Sequence, residues 1–345
     1  MKLRHLFVAA AMAVVAVVSC QKNAIPETSD QEQEYVTVQL GMGGELDITY
    51  EPMTRGNDNN DLYGIQVYSA PKDQEKPVWS YYAYGFFDDV NDITVSLLKG
   101  FQYKFVATMV VDGKSKIYLS NSANRYYYPF YISNIGFMAL DNKFTYDAGN
   151  FMVYVGFGYS SVIEGSSYEC YDRPNTDRYY GELVGYVPED SSNDKAKIKM
   201  LRTSFQATFQ AQGKLAVAGQ LEIKMAKAPI IVMDLTKEKK HTDYYTFHNV
   251  KAAHDYKTGN YSEDIDVSIN WYYQKEDGST VTVPLGTHTI AYARVRNTVL
   301  HINLENTNVD GGIGFELTEA GEMAAGAEYT INDGGNIDTE IDPNK

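Results

Sequence analysis

From residue 35 onward, apolar and polar positions alternate with a period of two, and no long stretch keeps apolar residues at helical spacing. Tyr35-Val36-Thr37-Val38-Gln39-Leu40 puts Val36, Val38 and Leu40 on one face. Leu46-Asp47-Ile48-Thr49-Tyr50 does the same with Leu46, Ile48 and Tyr50. Such alternation predicts strands with one buried face. It recurs at Tyr63, Ile65 and Val67, at Ile93, Val95 and Leu97, and from Tyr103 to Val111. Phe151–Phe157 and Tyr179–Gly181 read as further strands. Beyond them, Phe205-x-Ala207-x-Phe209, Leu221-x-Ile223-x-Met225, Leu300-x-Ile302-x-Leu304 and Ile313-x-Phe315-x-Leu317 repeat the pattern. Asp112-Gly113 predicts a hairpin toward Ile117, and Asp277-Gly278 one that joins Ile265–Trp271 to Val281 and Val283.

Many short strands, frequent turns and no intervening helices predict an all-β chain built of sandwiches rather than a parallel sheet. Pro188–Lys195 is polar, carries a proline and lacks apolar side chains, apart from its flanks. It reads as the linker between an N-terminal sandwich (56–187) and a C-terminal one (196–345). No short tandem repeat is evident.

The first 19 residues read as an address. Lys2 and Arg4 precede an uncharged run from Leu6 to Val18, shorter than the roughly 20 residues that span a bilayer, so a signal peptide is expected. Val17-Val18-Ser19-Cys20 fits a lipobox, with cleavage between Ser19 and Cys20 and acylation of Cys20. Acyl chains contribute about 0.8 kcal/mol per buried CH2, so two or three anchor stably. Residues 20–55 then form a lipidated tether with strand-like runs, ending at Pro52-Met53-Thr54-Arg55 before the polar stretch Gly56–Asp61. That stretch is too poor in apolar groups to pack, which leaves Arg55 in a loop open to cleavage.

Composition sharpens this reading. Twenty-nine Tyr and 14 Phe favour pleated surfaces. The two cysteines exclude a disulfide scaffold, so stability comes from core burial. The net charge of −15, made more negative by loss of Lys2 and Arg4, argues against nucleic acid and anionic headgroups as partners. Membrane contact is then expected through acyl chains alone.

Candidate chemistry is sparse. His241, His248 and His254 are spaced by seven and six, unlike a helical metal pair or a zinc ribbon, and read as solvated loop histidines. No Gly-x-Ser-x-Gly elbow surrounds Ser160 and Ser161, and Cys170 reads as a structural thiol. Asp88-Asp89 and Glu189-Asp190 sit among turn residues, and the Asn/Asp run after Arg55 lacks the glycine and terminal glutamate of a calcium loop. No catalysis, cofactor or metal is expected. The aromatic runs Trp79–Phe87, Tyr126–Tyr131 and Trp271–Tyr273 allow an alternative, a monomeric surface lipoprotein that stacks glycans on Trp and Tyr, although such rings also fill sandwich cores.

With these pieces in place the chain resembles the fimbrillin family, lipoprotein precursors of type V pilus subunits. The resemblance rests on Cys20, on Pro52-Met53-Thr54-Arg55, on Arg178-Tyr179-Tyr180-Gly181 at the end of the first domain, on Lys199-Met200-Leu201-Arg202 at the start of the second, and on Val295–Leu300. It implies two tandem transthyretin-like β-sandwich domains with Greek-key-type connections and delivery of a lipidated precursor to the cell outer membrane. It also implies removal of the N-terminal strand by an Arg-specific protease between Arg55 and Gly56, then assembly into a fimbria by strand donation. Val36, Val38 and Leu40 would fill the donor-strand groove until cleavage. The implied partners are other fimbrial subunits, outer-membrane lipid, the protease and a host or bacterial surface ligand. The C-terminus departs from a donating shaft pilin: 325–335 is rich in glycine and small residues, and Asn336–Ile341 has only two apolar anchors, Ile337 and Ile341. An accessory, tip or anchor position stays open beside a shaft one.

Overall fold

The computed structural model describes residues 34–44, 60–155, 158–160, 169–171, 173–188, 195–213, 219–255, 261–275, 277–304, 324–332 and 336–341. Ser19, Cys20, the Leu46–Tyr50 run, Arg55, Gly56 and the Ile313–Leu317 run lie outside them.

The described chain is all-β and forms sandwich-like lobes. In the first lobe the main strands are β1 (Tyr35–Gly44), β2 (Leu62–Pro71), β3 (Ser80–Phe87), β4 (Thr94–Leu98), β5 (Phe101–Val110), β6 (Lys143–Thr145), β7 (Arg178–Tyr186) and β8 (Lys195–Arg202). They make one eight-stranded sheet in the order β6-β3-β2-β5-β7-β8-β1-β4. All its pairings are antiparallel except β1 with β8, in register from Gln39↔Lys195 to Gly44↔Met200. The sheet turns over on itself, so that Ile65, Phe87, Phe105 and Met109 from one end share a core with Val38, Val95, Leu97 and Ile198 from the other. Its opposite face is covered by residues 117–140 and 151–153, which lay Tyr127, Phe130, Ile132 and Phe151 over Tyr84, Phe86 and Val106.

The second lobe holds β9 (Ser204–Gln212), β10 (Gln220–Met225), β11 (Ile231–Asp234), β12 (Lys240–Thr246), β13 (Ser262–Gln274), β14 (Thr280–Ala293), β15 (Arg296–Asn303), β16 (Ala324–Asn332) and β17 (Asn336–Ile341). One sheet runs β12-β9-β15-β16-β17 and the other β11-β10-β13-β14. They enclose Phe205, Phe209, Leu221, Ile223, Val267, Trp271, Tyr292 and Leu300.

Two expectations change. The sandwich boundary does not fall at 188–195. Residues 195–202 form β8, inside the first sheet, and the stretch before them connects two strands of that sheet. The lobes meet instead at buried Thr203, whose amide donates to the Arg178 carbonyl at 2.7 Å. The first sheet also takes in β1, N-terminal to residue 56. The two Asp-Gly signals also diverge. Asp277-Gly278 closes the β13–β14 hairpin with Gln274 opposite Thr280. Asp112, at a left-handed φ of 51°, instead starts the one-turn helix Gly113–Lys116, and β5 pairs with β2 and β7. A Cβ at Gly113 would meet Leu62 side-chain carbons at 2.8–3.0 Å, so the site requires glycine for packing.

Candidate functional site

The place of interest is β1 and the slot it fills. Alternation along β1 buries Val36, Val38 and Leu40, with exposures of 8, 0 and 1%, and leaves Tyr35, Thr37 and Gln39 at the surface. On one side β1 lies parallel to β8, on the other antiparallel to β4, from Tyr35↔Leu98 to Gln39↔Thr94. The ladder is extended at both ends: the Leu40 amide donates to the Ile93 carbonyl and the Lys99 amide to the Glu34 carbonyl, each at 2.9 Å. Lys99 Nζ also meets Glu34 Oε2 at 2.8 Å. The pair is exposed enough to contribute little. The three apolar side chains carry the strand.

Among the described strand pairs, β1 is the only link between β4 and the rest of the sheet. Lifting β1 out would leave two backbone edges, β8 and β4, facing each other across an apolar floor of Ile93, Val95, Leu97, Ala196 and Ile198. β4 also makes contacts outside the sheet. The Tyr146 hydroxyl accepts from the Ser96 amide at 2.7 Å, the Tyr82 hydroxyl donates to the Ser96 carbonyl at 2.8 Å, and the Tyr103 hydroxyl donates to the Leu98 carbonyl at 2.9 Å. Among the chain's 29 tyrosines, nothing in the local pattern of these three marks them.

Two motifs of the resemblance lie side by side. Arg178–Gly181 opens β7 and Lys199–Arg202 closes β8, and they pair antiparallel: Tyr179↔Arg202, Tyr180↔Leu201, Gly181↔Met200. Gly181 allows that approach, since a Cβ there would collide with the Lys199 carbonyl oxygen and the Met200 side chain. Arg178 is buried and donates to Thr108 Oγ1 at 2.7 Å and to the Val153 carbonyl at 2.5 Å. Burial pushes its guanidinium down to about 9. Arg202 grips Asp177 with Nε–Oδ1 at 2.8 Å and Nη2–Oδ2 at 2.5 Å, between the rings of Tyr179 and Tyr244. Ser204 Oγ adds a bond to Asp177 Oδ1 at 2.6 Å. These arginines therefore brace the sheet and the lobe junction. Val295–Leu300 runs into β15, beside β9.

The aromatic runs are mostly core. Tyr82, Tyr84, Phe86, Phe87, Tyr126, Tyr127, Phe130 and Trp271 are buried. Tyr81 and Tyr154 stay at the surface, Tyr81 with its ring centroid 5.3 Å from that of Tyr68, which Lys104 Nζ covers at 5.6 Å. His241 lies on β12 rather than in a loop, His248 is exposed, and His254 ends the short helix Val250–Asp255 against Asp255 at 2.8 Å. Among the described residues no group of three His, Cys, Asp or Glu is placed to hold a metal ion. No described helix is long and apolar enough to cross a membrane.

No family model matches the chain, and no curated protein matches it. Solved structures align along most of it at low identity. A proposed adhesin from Bacteroides ovatus is 11% identical, with 92% of this chain and 98% of that one covered and a TM-score of 0.35. A fimbrial assembly protein from Parabacteroides distasonis is 11% identical over 84% of this chain and 97% of that one, with a TM-score of 0.35. The tip fimbrial protein Mfa3 from Porphyromonas gingivalis is 8% identical over 80% and 97%, with a TM-score of 0.29.

Proposed function

We propose that the chain is a structural, non-catalytic subunit of a cell-surface fimbria, exported as a precursor anchored in the outer membrane through acylated Cys20. An Arg-specific protease cuts between Arg55 and Gly56, β1 leaves, and a strand from another subunit takes its place. The observation that carries this reading is the position of β1: an interior strand of the sheet whose covalent route to β2 is residues 45–61, which contain Arg55.

The energies fit a switch. Burying Val36, Val38 and Leu40 contributes about 1.5–3 kcal/mol each, against a net domain stability of about 5–15 kcal/mol. While β1 is in place the precursor has no free slot and stays monomeric. Once it leaves, two unpaired strand edges and an apolar floor face solvent, a surface that an incoming strand satisfies.

Purified precursor treated with an Arg-specific protease is expected to yield a folded product that starts at Gly56 and forms SDS-resistant ladders. An Arg55→Ala variant that still matures and assembles on cells would refute the reading. The second reading, a monomeric glycan-binding lipoprotein, is favoured by the exposed rings of Tyr154 and of Tyr81, the latter beside Tyr68. It predicts retention of the uncut monomer on a polysaccharide column and no ladders.

A further inference from the structure

The two edges of β4 are treated differently. With Leu40 and Lys99 bonded across to Ile93 and Glu34, the alternation of an antiparallel ladder turns the backbone groups of Val95 and Leu97 toward β1. Those of Ser96 and Leu98 turn the other way. On that outer edge no strand pairs with β4 among the described residues, and tyrosine hydroxyls take the backbone groups instead. The rings form one cluster, Tyr82 edge-on to Tyr103 at 5.2 Å and to Tyr146 at 5.8 Å. Tyr82 comes from β3, Tyr103 from β5, and Tyr146 follows β6, so none of the three lies on a strand that pairs with β4. Burial pushes Tyr82 and Tyr103 well above the usual tyrosine range, so both stay donors.

We propose that Tyr82, Tyr103 and Tyr146 form a clasp that holds β4 in place when β1 departs and closes its outer edge, so that an extended strand of a second subunit enters only between β4 and β8. This rests on the proposed function and adds the residues that keep the acceptor open. Once β1 departs, β4 has no strand partner left among the described residues, and without the clasp it can follow β1 or close onto β8. With it, β4 and β8 remain about two strand spacings apart, roughly 9–10 Å, which is room for one strand. The entering segment must run parallel to β8 and antiparallel to β4. It must also present apolar side chains at alternate positions, as Val36, Val38 and Leu40 do. On the outer edge an incoming strand would have to displace bonds already made, which directs addition to one side.

Hydrogen exchange on the intact full chain tests the clasp without any cleavage. Tyr146→Phe should cut protection of the Ser96 amide at least tenfold, while Val95 and Leu97, which face β1, keep theirs. Unchanged protection at Ser96 overturns the clasp. The second measurement uses chain cleaved after Arg55 and a fluorescent peptide of sequence Glu34–Gly44. A Tyr82→Phe/Tyr146→Phe variant, matched to the parent by circular dichroism before cleavage, should take up the peptide at least tenfold more slowly. Equal uptake rates overturn the proposal. If the parent keeps its own β1 after cleavage and takes up no peptide, the proposed function fails, and the Ser96 exchange result alone decides the clasp.

Discussion

Each lobe contains an interior strand that lies parallel to a partner distant in sequence, and the two are fixed by different means. In the first lobe β1 lies between β8 and β4, and its buried positions are all apolar: Val36, Val38 and Leu40. In the second, β15 lies between β9 and β16 and buries Asn297, Thr298 and His301 among its apolar residues. Thr208 Oγ1 on β9 donates to Asn297 Oδ1 at 3.0 Å, and Gln212 bonds the His301 ring. Apolar contact is non-directional, whereas a buried hydrogen bond is satisfied only in one register. β15 is thereby specified as one particular strand. The β1 position makes no such demand: its buried face asks only for apolar side chains at alternate positions.

Three changes would break or sharpen that contrast. The largest effect is expected from Val38→Asp, which places a charge in the shared core opposite Val95. We expect a loss of about 4 kcal/mol or more in urea unfolding followed by circular dichroism. A variant as stable as the parent would mean that β1 is dispensable in the precursor.

Next comes acid. Burial holds the His301 imidazole down to about 4, against an unperturbed value of about 6.5. The unfolded chain therefore binds a proton at higher pH than the folded one. The stability from neutral His301 is fully present above about pH 6.5, declines as pH falls toward 4, and amounts to about 1–3 kcal/mol. His301→Gln should flatten the melting temperature of the second lobe across that window. β1 carries no buried titratable group and adds no such slope. A slope that survives the substitution would assign it to another group.

The smallest effect is expected from Leu40→Met in β1, below about 1.5 kcal/mol by thermal unfolding, because a volume-conserving apolar swap keeps alternation and adds no directional demand. A larger loss would show that β1, like β15, is fitted to one sequence.

The sequence by itself determined that the chain is built of strands, and which face of many of them is buried. Val36, Val38 and Leu40, the Ile93–Leu97 set and the Leu221–Met225 set all turn inward as their alternation requires. It also located the Asp277-Gly278 hairpin, because that turn is local. Only the tertiary structure decided which strands become neighbours. Alternation fixes the face a side chain takes and leaves the partner open, since pairing is chosen by contacts between residues far apart in the chain. For that reason the sequence pattern of 196–202 is compatible with the second sandwich although β8 pairs with β1 and β7 in the first, and Asp112-Gly113 carries a hairpin signal where packing against Leu62 sets a helical turn. For the same reason Tyr82, Tyr103 and Tyr146 gave no signal. Their hydroxyls acquire a role only when the sheet folds over and brings β4 to them.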